Sequence, residues 1–264
     1  GLPERFSNNY FLNGADELLF IDAVASLYGR NSLEEVIKRT AENVFIPITV
    51  GGGIRSLNDI RCILRAGADK VAINTAAIIN PQLISEGAKM FGSQCIVVSI
   101  QAMKGNNHEY EAYTDNGRES TGKDVIKWAK EAVDLGAGEI LITSIDQEGT
   151  GEGYDIELIS RLVDSVSVPV IACGGAGNAK HIEDIIKHCN VDAVSAASIF
   201  HYHVLKDFGV EKREEGNVEY LKRYVEKDSI TLKKLQPISI NDLKANLMKS
   251  DICCINTRLS TNFT

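Results

Sequence analysis

Two short glycine runs stand where a strand-like stretch gives way to a helix-like one. Gly51-Gly52-Gly53 follows residues 48–50, and Gly174-Gly175-Ala176-Gly177 follows residues 169–173. Without a Cβ, glycine lets backbone N–H groups close on an anion, and the first N–H groups of a helix are unpaired and point toward it. Each run has a companion after the next strand-like stretch: Asn74-Thr75 for the first and Ala197-Ser198 for the second. Their hydroxyl groups suit phosphate oxygens. A single glycine run is a weak signal, because tight turns use glycine too. Two in equivalent places predict a ligand with two phosphates, one held by Gly52, Gly53, Asn74 and Thr75, the other by Gly174, Gly175, Ala197 and Ser198.

Carboxylates accompany them. Asp22 and Asp146 each close a strand-like stretch, and Gly149 and Thr150 lie in the polar loop after Asp146. All four are candidate substrate contacts, although an aspartate there can also anchor a loop or cap a helix. Glu17, Lys70 and Glu139 stand at or near strand beginnings, where residue types alone read as structural ion pairs. His201 and His203 flank Tyr202 and read as loop surface rather than a metal pair, and no metal site or cofactor is expected. The six cysteines form no CxxC pair and read as reduced thiols.

The elements that must position these groups alternate. Apolar, β-branched stretches at 17–22, 48–50, 70–74, 96–101, 139–145, 169–173 and 193–196 suit strands buried on both faces. Amphipathic stretches at 32–43, 56–66, 81–91, 123–135, 155–165 and 179–189 separate them, with Ser56 and Asp59 as a capping box. The βα repetition predicts a parallel sheet.

An internal repeat narrows this to a barrel. Gly14-Ala15-Asp16-Glu17 matches Gly136-Ala137-Gly138-Glu139 at an offset of 122 residues, and Ile46-Pro47-Ile48 matches Val168-Pro169-Val170 at the same offset. Two such halves predict an eight-fold (β/α)8 barrel with its site at the C-terminal rim of the strands. Seven strands can be found, and the counterpart of the 96–101 strand is missing from the first half. Strand one of eight is therefore expected to be absent. The chain reads as one barrel domain over 1–264, with an insertion at 203–236 before the last helix and a disordered tail at 252–264.

Composition removes other classes. At 264 residues and 44% hydrophobic content, the chain can bury a full barrel core, which takes about 250 residues. A formal net charge of −8 argues against nucleic-acid binding. No apolar stretch reaches the ~20 residues of a membrane span, and residues 1–10 are too polar for a secretory leader, so a cytoplasmic protein is expected.

The stretches 45–55, 67–77, 136–155, 171–177 and 196–202 together resemble the cyclase subunit of imidazole glycerol phosphate synthase, and the similarity runs from about Phe11 to Tyr202. The resemblance implies a glutaminase partner docked on the N-terminal face. Ammonia from it passes through the barrel and attacks a bis-phosphorylated ribulosyl aminoimidazole carboxamide at the C-terminal rim, giving imidazole glycerol phosphate for histidine biosynthesis. It assigns the two phosphates to the glycine sites above, Glu17, Lys70 and Glu139 to the ammonia entrance, and Asp69 to the glutaminase interface.

One departure bears on the chemistry. The family uses aspartates at the ends of strands one and five as general acid and base. Strand one is not found, and the second position is Gln101, whose amide cannot exchange a proton usefully near neutral pH. Two alternatives stay open: a paralogous subunit that amidates a surface-polysaccharide sugar, and a phosphate-binding pseudo-subunit.

Overall fold

Strand and helix alternate in the computed structural model much as the pattern predicts. Residues 3–22, 33–208 and 234–255 are described. Of the expected insertion, 209–233 lie outside the described residues, as do 256–264 of the expected tail.

Helix α1 (Pro3–Leu12) leads into β1 (Leu18–Ile21), followed by α2 (Leu33–Ala41), β2 (Ile48–Gly51), α3 (Leu57–Arg65) and β3 (Lys70–Ile73). Then come α4 (Thr75–Ile79), α5 (Gln82–Phe91), β4 (Ile96–Lys104), β5 (Tyr110–Thr114), β6 (Glu119–Asp124) and α6 (Val125–Asp134). The rest is β7 (Glu139–Ser144), α7 (Ile156–Val163), β8 (Val170–Cys173), α8 (Ala179–Cys189), β9 (Ala193–Ser195), α9 (Ser198–Phe208) and α10 (Ile240–Lys249). Parallel pairing runs β1-β2-β3-β4-β7-β8-β9, and β5 and β6 form an antiparallel arm on the end of β4. This is a nearly closed (β/α)8-type barrel wall, with no pairing between β1 and β9 among the described residues.

Local chemistry sets the helix starts. The Ser56 hydroxyl accepts from the Asp59 N–H at 3.2 Å, which caps α3, and donates to the Asp59 carboxylate at 2.9 Å. Asp124, Asp155 and Asn178 cap α6, α7 and α8 in the same way. The helix expected from residue 123 begins at Val125, since Lys123 still pairs with Ala112 in the arm.

The repeat is visible in hydrogen bonds. Leu18 N–H donates to Pro47 C=O and Ile140 N–H to Pro169 C=O, each at 2.9 Å. Asp69 accepts from Ile48 N–H at 2.8 Å, and Asp192 from Val170 N–H at 2.9 Å. The core divides in two. Ile48, Val71, Ile73, Val98 and Ile140 join Ile60, Ile84, Trp128 and Leu158 of the helices in a large outer cluster. Leu19, Ala72, Val97, Leu141, Ile171 and Cys173 form a second cluster. Successive strand residues face opposite sides, so these six point into the barrel.

Candidate active site

The inward register places the functional side chains at two ends of one lumen. Two residues before the inner cluster stand Glu17, Lys70 and Glu139, and two residues after it stand Asn74 and Thr143. Gln101 shares the inner face of Val97, four residues on, and pairs in register with Thr143. From Lys70 to Asn74 the strand rises roughly 13 Å.

At the N-terminal floor, Lys70 Nζ donates to Glu17 Oε2 at 2.9 Å and to Glu139 Oε1 at 2.7 Å. Burial lowers the Lys70 pKa, but hydrogen bonds to Glu139 and Glu17 outweigh it and the net shift is upward. Thr49 donates to the other Glu17 oxygen, while Glu139 Oε2 is buried without a partner among the described residues. One cation between two carboxylates leaves this floor net negative. Thr49 escaped the sequence reading because it belongs to the floor only through register. Asp69 sits one residue before Lys70, and its carboxylate holds the β2 backbone.

At the C-terminal rim stand both glycine loops. Gly52 and Gly53 have φ of 98° and 71°, Gly174 and Gly175 of 95° and 104°. A Cβ on Gly52 would lie 2.3 Å from the carbonyl oxygen of Asp22, and on Gly175 2.0 Å from that of Gly153. Gly52 and Gly175 are therefore required by backbone packing, whatever the loops bind. Asn74 and Thr75 open α4, and Ala197 and Ser198 open α9, so each glycine loop lies at the end of the strand next to one that leads into a helix start. Ala197 C=O accepts from His201 N–H at 2.8 Å.

An amide chain crosses the rim. Asn74 Nδ2 donates to Gln101 Oε1 at 2.9 Å, and Gln101 Nε2 reaches Asn116 Oδ1 at 3.4 Å. Asn116 belongs to the turn between β5 and β6, where Asp115 N–H also donates to the Thr75 hydroxyl at 3.2 Å. The arm thus touches the first glycine site, a contribution the sequence reading lacked.

The remaining candidates lie in the loops. Asp22 N–H donates to Gly51 C=O at 3.0 Å, placing Asp22 beside Gly52. Asp146 accepts from Lys104 N–H at 2.9 Å, which fastens the loop to the arm. Thr150 donates to Gln147 C=O at 2.8 Å, and Gly149 has φ of 75° in open space. Glu148 was not singled out from sequence. It is exposed, yet the walls of the mouth displace water around it and raise its carboxyl above the ordinary value. Cys173, at the top of the inner cluster, has its thiol pushed up by burial, while Thr143 and Ser195 hydrogen-bond it.

One expectation is overturned. His201 and His203 lie on α9 rather than a loop, and the His201 ring packs 4.9 Å from the Phe6 ring of α1. The helix continues because residues 198–208 contain no breaker and one side is covered by α1.

The comparisons with known proteins agree with this architecture. Residues 1–206 match the family described as histidine biosynthesis protein. The imidazole glycerol phosphate synthase subunit HisF of Legionella pneumophila is 60% identical over 177 residues, covering 67% of this chain and 84% of that protein. With well over half its length matched and a barrel of the corresponding kind, the chain belongs to the histidine biosynthesis protein family, on the branch of the HisF cyclase subunit.

Proposed function

We propose that the protein is an ammonia-using cyclase subunit that converts a bis-phosphorylated ribulosyl aminoimidazole carboxamide to imidazole glycerol phosphate, with a glutaminase subunit supplying the ammonia. The observation that carries this is the paired rim: two glycine loops, each at the end of the strand next to one that leads into a helix start, in halves related by the same backbone hydrogen bonds. Such sites accept two phosphates at once. In this reading Gly52, Gly53, Asn74 and Thr75 hold one phosphate and Gly174, Gly175, Ala197 and Ser198 the other. Asp22, Asp146, Gly149 and Thr150 border the body of the ligand. Glu17, Lys70 and Glu139 line the ammonia entrance, Asp69 stands near the glutaminase, and the net negative floor favours approach of ammonium.

A second reading is favoured by Gln101. It is held in an amide chain at the position where the family carries an acid/base aspartate, which suits a relative with a different acceptor, such as a sugar to be amidated. Turnover of the ribotide at high ammonium, with the product identified by mass spectrometry, separates the two. Formation of imidazole glycerol phosphate supports the cyclase. Micromolar binding of the ribotide by calorimetry without turnover refutes that reaction and favours the paralogue.

A further inference from the structure

We infer that Glu148, on the loop between β7 and α7, is the carboxylate that moves protons at this mouth, the work that position 101 cannot do. The inference rests on the ammonia-dependent reading above.

Three observations support it. First, the loop leaves the rim beside the reacting centre: Glu148 N–H donates to Ser144 C=O at 3.0 Å, one residue beyond Thr143, the register partner of Gln101. Its neighbour Gln147 packs where a Cβ of Gly175 would stand, so the loop borders the second glycine site. Second, neighbouring carboxylates are engaged. Asp146 is held by Lys104 N–H, and Asp155 by Leu158 N–H and the Tyr110 hydroxyl. The Glu148 carboxylate makes no hydrogen bond or ion pair with the described residues. Third, its charge is felt at the top of the lumen, where it adds to burial in raising the Cys173 thiol. The crowding that raises the Glu148 carboxyl makes its protonated form easier to reach than that of an ordinary glutamate.

The step is addition of ammonia to the ribulosyl ketone. The nitrogen lone pair forms the C–N bond as the C=O π bond breaks, and protonated Glu148 gives its proton to the oxygen. The carboxylate then takes one proton from the new ammonium nitrogen. The product is the carbinolamine, and Glu148 is protonated again.

The test compares Glu148→Gln and Glu148→Asp with the unaltered protein in ammonium-driven turnover of the ribotide, with calorimetric binding and the pH profile of kcat/KM. The expected result is a loss in kcat of ~10²–10⁴ for Glu148→Gln. Binding should be nearly unchanged, the acidic limb of the profile gone, and much of the rate retained by Glu148→Asp. If the unaltered protein turns over and Glu148→Gln matches it, the role is overturned and the proposed function stands. Loss of binding along with rate overturns it too, by making Glu148 a binding group. No turnover by the unaltered protein overturns both.

Discussion

At position 175 one added carbon separates two readings of glycine. Gly175→Ala puts a Cβ 2.0 Å from the Gly153 carbonyl oxygen at a φ of 104°, so backbone must move. Strain and crowding together should cost about 3 kcal/mol in urea unfolding. Gly149→Ala meets nothing within 4 Å, and its φ of 75° should cost only about 1 kcal/mol. Equal losses would mean that the Gly153 contact is not limiting. Lys70 gives a second residue-scale prediction. Lys70→Met leaves Glu17 and Glu139 without their cation, and removing one partner of a buried pair costs 3–5 kcal/mol. Partial exposure reduces this to roughly 2–3 kcal/mol. In the unaltered protein the Lys70 pKa is raised, so its contribution is full below the ordinary lysine value and lost as pH climbs through the raised one. The glycine loops and the Glu17 and Glu139 positions stand out in the sequence because the repeat marks them twice, whereas Lys70 is matched by Ala193. Glu148 and Thr49 were not legible, since each acquires its role from a neighbour distant in sequence.

The arm formed by β5 and β6 is the element whose absence from the sequence reading matters most. Its signals were present: Tyr110, Ala112 and Thr114 alternate as buried residues, and Asn116-Gly117 is a hairpin turn pair. They were obscured because β4 continues past its apolar stretch to Lys104, through residues that resemble a loop. The parallel strands and longer helices announce themselves by continuous apolar stretches and caps, whereas α9 hid the His201 contact behind a weak periodicity. The arm is fastened at its base. The Tyr110 hydroxyl donates to both Asp155 oxygens at 3.0 and 3.1 Å, Lys104 Nζ sits 5.7 Å from the ring centre, and Arg161 donates to His108 C=O at 2.7 Å. Tyr110→Phe should remove about 1–2 kcal/mol of local stability, since its acceptor is charged. Hydrogen exchange should show faster amides in β5 and β6 with the barrel strands unchanged. Unchanged arm exchange would place the anchor instead in Lys104, Arg161 and Glu157.

For the molecule as a whole, the question is what joins the first and last elements when β1 and β9 do not pair among the described residues. Helix contacts do so. The Tyr10 hydroxyl on α1 and His201 Nδ1 on α9 share a hydrogen bond at 3.2 Å, the Phe6 ring lies against His201, and Lys244 of α10 pairs with Asp16 just before β1. Burial pushes the Tyr10 phenol up to about 12 and holds His201 below its ordinary value, so both are neutral at pH 7. A cation here would be desolvated among aromatic rings. A histidine lowered in the folded state contributes stability that is full above its unfolded pKa, about 6.5, and lost as pH falls below it. Acidification from pH 7 to 5 should therefore speed amide exchange in α1 and α9 before the barrel strands respond. His201→Gln should lose some stability at pH 7 and flatten this dependence. An equally steep acid response in His201→Gln would show that the weakening does not come from His201, and the aromatic contact would then not be what joins the ends of the sheet.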